Sequence, residues 1–145
     1  MGLQETLYET EVVSSGAGRN GHIRSSDGLL EFDVTSPKEL GGKGGHTNPE
    51  QLFGAAYAAC FHSSLLYQAQ LNKVKIDRAS TVTTQVAIGP RAGADGWGLG
   101  VKLIVDLTGL DRAAADRLVN LTHESCPYSK AVRGNVDVTI ETNVS

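Results

Sequence analysis

The sequence predicts an α+β fold on three observations: strand patterning in the first third, one long segment that is apolar nearly all round, and a second set of strands beyond it. Alternating apolar and polar residues mark strands at 6–13, 21–26 and 29–35, and Asp27-Gly28 reads as the hairpin turn between the last two. Pro37 closes this section. The segment Gly41-Gly42-Lys43-Gly44-Gly45 lacks the Gly-Lys-Ser/Thr ending of a phosphate-binding loop and reads as a flexible connector. Asn48 then stands as an N-cap, Pro49 suits the first helical position and Gln51 sits where a capping-box partner reaches back, so a helix starts here and runs to about Leu71. Leu52, Phe53, Ala55, Ala56, Phe61, Leu65 and Leu66 spread around its circumference, the pattern of a helix with a central position. Strands at 79–88 and 98–107, with the turn-rich stretch 89–96 between them, form a second hairpin. Asp111 can cap another helix whose apolar face uses Ala115, Leu118, Val119 and Thr122 and continues onto Cys126, where Pro127 interrupts it. A short helix restarts at Pro127 and ends at Gly134, and residues 136–142 alternate as a last strand.

A chain of 145 residues is the size of one domain, 1–145, able to bury about 70 % of the surface that its unfolded form exposes. The 40 % hydrophobic and 20 % charged fractions are those of an ordinary globular protein. The net charge is −3 and the 13 Lys and Arg residues are scattered, which argues against nucleic acid as a partner. No stretch approaches the apolar length needed to span a bilayer, and Glu5, Glu9 and Glu11 stand where a signal peptide would be basic and then apolar, so a cytosolic location is expected.

Two cysteines are present, and their count alone leaves open whether they are inert core thiols or a reactive pair. Cys60 lies mid-helix, too far from the helix N-terminus for its dipole to activate a thiolate, so another positive charge is needed. Arg19, in the glycine-rich turn Gly16-Ala17-Gly18-Arg19-Asn20-Gly21, is the candidate; such an arginine is otherwise a solvated loop residue. Glu50 either favours the N-terminus of the long helix as a carboxylate or pairs with Arg19 to fix its fork. Cys126 ends a different helix beside a proline, and whether it reaches Cys60 is a matter of geometry that spacing leaves open. The four histidines show no paired metal spacing, while His123 keeps a Cys-His hydrolase in contention, and a noncatalytic binding or sensing module is a further reading.

Five segments carry a resemblance: Gly18-Arg19-Asn20-Gly21-His22, Asn48-Pro49-Glu50-Gln51-Leu52-Phe53, Tyr57-Ala58-Ala59-Cys60-Phe61, Cys126-Pro127-Tyr128-Ser129 and Arg133-Gly134-Asn135. Spread over nearly the full length, they make the chain resemble the organic hydroperoxide resistance proteins, the Ohr branch of the OsmC superfamily. The resemblance implies antiparallel sheets wrapped around long central helices in an intertwined homodimer. It implies a thiol peroxidase for alkyl and lipid hydroperoxides, with Cys60 peroxidatic, Cys126 resolving, and Arg19 with Glu50 activating the thiolate. It further implies recycling by dihydrolipoamide or a lipoylated protein, and no metal, haem or flavin. Ser125 departs from the apolar residue that many relatives carry before the resolving cysteine.

Overall fold

The computed structural model describes residues 2–145, which fall into two compact units: an N-terminal unit up to Pro49, and Glu50–Ser145. No helix among the described residues is long and apolar enough to cross a membrane.

The N-terminal unit is an antiparallel meander of β1 (Val12–Ala17), β2 (Asn20–Ser25) and β3 (Glu31–Asp33). The first strand begins later than its alternation suggests. Residues 6–11 are exposed and lie outside the ladder, although the Ser26 N–H donates to the Glu11 carbonyl at 3.0 Å. Pairing is instead anchored at the tight turn, where Ala17 faces Asn20 and Gly18 takes a left-handed φ of 60°. Gly21 must be glycine, since a Cβ there would lie 2.2 Å from the Ser15 carbonyl oxygen. At the second turn the Ser25 hydroxyl and the Leu29 N–H both donate to the Asp27 carboxylate, at 2.6 and 3.0 Å. The Gly41–Gly45 stretch is more ordered than a flexible connector. It wraps a short 3-10 turn, Lys38–Leu40, and the N–H groups of Gly41, Gly42 and Gly44 donate to the carbonyls of Lys38, Pro37 and Ser36.

In the second unit, α1 (Pro49–Leu71) is one unbroken helix, followed by the β4 (Thr81–Pro90) and β5 (Trp97–Leu107) hairpin, α2 (Arg112–Ser125), α3 (Pro127–Val132) and β6 (Asp137–Val144). The expected antiparallel pairing holds for β1–β2, β2–β3 and β4–β5, but β5–β6 is parallel. The reason is topological: α2 and α3 carry the chain back across the sheet, so β6 enters beside β5 in the same direction. Along β5, Val101, Leu103, Val105 and Leu107 all point inward with the period of two that a strand imposes. They meet Tyr57, Phe61, Leu65 and Ala69 of α1, and Ala115, Leu118 and Val119 of α2.

The inward residues of α1 follow the 3–4 spacing of a single helix face: Gly54, Tyr57, Phe61, Leu65 and Ala69 are buried. Gly54 lets the helix approach β4 closely, since a Cβ there would stand 3.3 Å from the Val86 side chain. The other side of the helix keeps Leu66, Tyr67 and Leu71 more than half exposed, at 51, 59 and 58 %. In α2 the Asp111 carboxylate accepts from the Ala114 N–H at 2.8 Å and caps the helix, and the four residues expected on its apolar face are the four it buries. Asp111→Ala is expected to lower stability by about 1 kcal/mol, seen as a lower urea midpoint at unchanged slope; an unchanged midpoint would show the cap to be idle.

Candidate active site

Pro127 shapes the candidate site. A residue before proline is disfavoured in the α region, and Cys126 adopts φ −58° and ψ 125°, which breaks the chain direction between α2 and α3. Its N–H still closes α2 on the Thr122 carbonyl at 2.8 Å, and its carbonyl opens α3 by accepting from the Lys130 N–H at 3.0 Å. The side chain thus leaves a rigid corner and is fully buried. It reaches α1, where the Cys126 and Cys60 sulfurs lie 3.9 Å apart across 66 positions of sequence, both thiols free.

The two thiols differ in access: Cys126 is buried, Cys60 only partly so. Burial pushes the Cys60 thiol up from its ordinary value, and the neighbouring Cys126 sulfur adds to this, while the backbone N–H of Tyr128 pulls it down by hydrogen bonding the thiolate. That amide is one of the N–H groups that the first turn of a helix leaves without an intrahelical partner.

A buried polar chain runs beside the sulfurs. The Tyr57 hydroxyl and the Ser129 hydroxyl share a hydrogen bond of 2.8 Å, and Ser129 Oγ lies 3.0 Å from His123 Nδ1. Tyr57 and Ser129 are fully buried. The Tyr57 ring packs edge-on against Phe53 and Phe61, with centroids 6.1 and 6.5 Å away, and at a 32° tilt against Tyr128. Burial raises the Tyr57 phenol above its ordinary value, with the Ser129 hydrogen bond opposing, so the hydroxyl keeps its proton. Arg133 donates to the His123 carbonyl at 2.8 Å and lies 3.8 Å from the Glu124 carboxylate. Ser125 is not stranded among apolar groups. It accepts from the Gln68 amide at 3.1 Å and donates to the Thr122 carbonyl at 3.3 Å.

Of the residues singled out from the sequence, Cys60 and Cys126 are brought together. Glu50 occupies the first turn of α1, ten positions before Cys60 and about 15 Å from it along a straight helix. Arg19 stands in the β1–β2 turn of the N-terminal unit. The bond from His123 Nδ1 to Ser129 turns that nitrogen toward a hydroxyl instead of a sulfur, which weakens the hydrolase reading. Two features escaped the sequence reading, the Tyr128 amide and the Tyr57–Ser129–His123 chain. The spacing did hold a signal, since Tyr57 and Cys60, and likewise His123, Cys126 and Ser129, stand three apart. An open cavity of about 450 Å³ at the tip of the β4–β5 hairpin, lined by Arg91, Trp97, Asn135 and Asp137, holds neither cysteine.

A family model described as OsmC-like protein matches residues 42–141. The chain belongs to the OsmC-like family. This OsmC-like chain is 48 % identical over 137 residues to the organic hydroperoxide resistance protein OhrB of Bacillus subtilis, covering 93 % of this chain and 97 % of the relative. Its fold matches the crystal structure of an organic hydroperoxide resistance protein from Legionella pneumophila with a TM-score of 0.90 at 45 % identity, covering 97 % of this chain and 100 % of that one. The match to the protein of that description from Elizabethkingia anophelis has a TM-score of 0.91 at 40 % identity, over 98 % of this chain and 100 % of that one.

Burial, and then the Arg133 charge, hold His123 of this OsmC-like chain below its ordinary value of 6.5, with Glu124 opposing. A base neutral in the fold and protonated more readily when unfolded contributes stability above about pH 6.5, lost as pH falls toward and through the folded value. His22 works the other way, because its bonds to Asp33 and Glu31 raise it, so its contribution is present at low pH and fades as pH rises. Comparing His123→Gln with the parent cancels the His22 term. Acidification from about pH 7 to about pH 5 is expected to lower Tm less in the variant than in the parent; equal slopes in a calorimetric series would remove His123 from the account.

Proposed function

We propose that this chain is a thiol peroxidase that reduces organic hydroperoxides, with Cys60 as the attacking sulfur and Cys126 as the resolving one. The observation that carries this reading is the 3.9 Å approach of the two sulfurs, from residues 66 positions apart, in a chain with several relatives named for organic hydroperoxide resistance. Spare core thiols have no need of such proximity, whereas a resolving cysteine does.

The Cys60 thiolate attacks one oxygen of the peroxide O–O bond, which breaks; the alkoxide leaves and takes up a proton as the alcohol, and Cys60 becomes a sulfenic acid, two electrons oxidised. Cys126 then attacks the sulfenic sulfur, water leaves, and a Cys60–Cys126 disulfide forms. A dithiol of the dihydrolipoyl class, free or on a lipoylated protein, would return both thiols by exchange and leave as a cyclic disulfide. Accessibility favours this order, because a peroxide arriving from solvent meets the partly exposed Cys60 before the buried Cys126.

Burial works against the Cys60 thiolate, and the Tyr128 amide is one group that offsets it. We assign the remaining stabilisation to the Arg19 guanidinium, which would also face the charge that develops on the departing oxygen, and assign Glu50 the role of holding that guanidinium in register. Glu50 cannot serve the cysteine of its own straight helix across about 15 Å. It would serve Cys60 of a partner subunit, in a homodimer whose helices cross near Ala55 and Ala56, beside the Gly54 that packs on β4. The exposed Leu66, Tyr67 and Leu71 give α1 a second apolar side for such a partner to cover.

One equivalent of tert-butyl hydroperoxide is expected to remove two free thiols without adding mass from an adduct, and dihydrolipoamide to sustain turnover. Cys126→Ser would consume a single equivalent and stop; continued cycling in that variant would remove the resolving role. Mixing Glu50→Ala with Cys60→Ser chains supplies the test of a shared site. Rescue to about half of parental activity per heterodimer is expected if Glu50 acts across the interface, and no rescue if it acts within its own chain.

A further inference from the structure

We propose that Tyr57, Ser129 and His123 form a polar clamp that sets the position of Cys126 for its attack on oxidised Cys60. The inference rests on the peroxidase reading and adds to it residues that act on the second step through another group.

The geometry carries it. Tyr57 stands one helical turn before Cys60 on α1, and Ser129 stands one turn after Cys126 on α3, so the 2.8 Å hydroxyl bond joins the same two elements as the 3.9 Å sulfur pair, three residues along each. Two attachments between α1 and α3, one polar and one through sulfur, fix both the separation and the rotation of α3 where one would fix only the separation. A disulfide requires the sulfurs to close from 3.9 Å to about 2.0 Å, in a narrow range of torsion about the S–S bond. A corner that is free to turn about the α2–α3 junction would sample this geometry rarely. One held at Ser129 samples it often, and this is the source of high effective concentration in an intramolecular step.

His123 completes the arrangement. It lies one turn before Cys126 on α2, and its Nδ1 contact at 3.0 Å orients the Ser129 hydroxyl from the far side of the corner. With neutral His123 accepting at Nδ1, the serine proton points to the imidazole, which leaves the Ser129 oxygen to accept from the Tyr57 O–H. All three elements that meet at the resolving cysteine thus contribute one member. The Tyr57 ring also packs on Tyr128, whose amide addresses the Cys60 sulfur, so the same contact steadies a donor to the attacking thiolate.

The clamp is separable from simple satisfaction of buried hydroxyls by where its loss is felt. In each protein, tert-butyl hydroperoxide is added at one equivalent in the presence of a sulfenic-acid trap such as dimedone, and intact mass gives the ratio of trapped Cys60 to Cys60–Cys126 disulfide. Tyr57→Phe and Ser129→Ala each remove one hydroxyl and keep the packing. Each is expected to shift the ratio at least tenfold toward the trapped form, and the double variant to shift it no further than either single one. His123→Gln, at a half-buried position, is expected to shift it about threefold in the same direction. Val105→Ala, a core cavity in β5 that lowers Tm comparably, should keep the parental ratio; a matching shift there would reduce the clamp to general stability. Parental ratios in all three clamp variants would overturn the proposal while leaving the peroxidase reading intact. Failure of the parent protein to form either trapped adduct or disulfide would instead bring down that reading, and the clamp with it.

Discussion

Everything at the candidate site depends on how the α2–α3 corner is held against α1. The two sulfurs are delivered by elements with different local logic: Cys60 by an uninterrupted helix, Cys126 by the one residue that proline expels from helical geometry. Neither placement has meaning without the other. The hydrophobic core built from Tyr57, Phe61, Leu65, Leu118, Val119 and Val132 presses these elements together, and it also withdraws the thiols from water. Burial therefore has two opposed effects. It secures the proximity that a disulfide needs and raises the cost of the thiolate that starts the reaction, so the site must contain donors aimed at sulfur.

Most of the architecture was legible because it rests on local signals. The Asn48-Pro49 start, the Asp111 cap, the alternating residues of β5 and the Pro127 break each announce an element within a few residues, and these elements stand where the pattern puts them. Local patterns do not suffice where a tertiary partner decides. Residues 6–11 alternate as a strand would but stay outside the ladder that starts at Val12, and the parallel entry of β6 follows from the path of a helical crossover that no local pattern records. The glycine-rich stretch after Leu40 looked loose in sequence, yet backbone hydrogen bonds to Pro37 and Ser36 tie it down.

The candidate site divides along the same line. Both cysteines could be picked out from their surroundings, but the distance between them could not, since a separation of 66 positions is closed only by the fold. His123 looked like a possible partner for a cysteine and is engaged instead with a serine hydroxyl. Tyr57 is a core aromatic and Tyr128 a partly exposed one, but the ring of the first carries a buried hydroxyl bond and the backbone of the second addresses a thiolate. These roles belong to atoms that composition does not distinguish, a phenol oxygen and a peptide nitrogen.

The parallel pairing of β5 with β6 bears on the order in which the second unit can assemble. The β4–β5 hairpin is local and can zip from its turn, but β5 ends at Leu107 and its other neighbour begins only at Asp137. Until the intervening helices condense, one edge of β5 presents unpaired backbone on a strand rich in valine and leucine, the kind of edge through which chains associate wrongly. The crossover that places Cys126 beside Cys60 is the same segment that delivers β6. Closing the vulnerable edge and completing the sulfur pair therefore draw on one and the same stretch of chain.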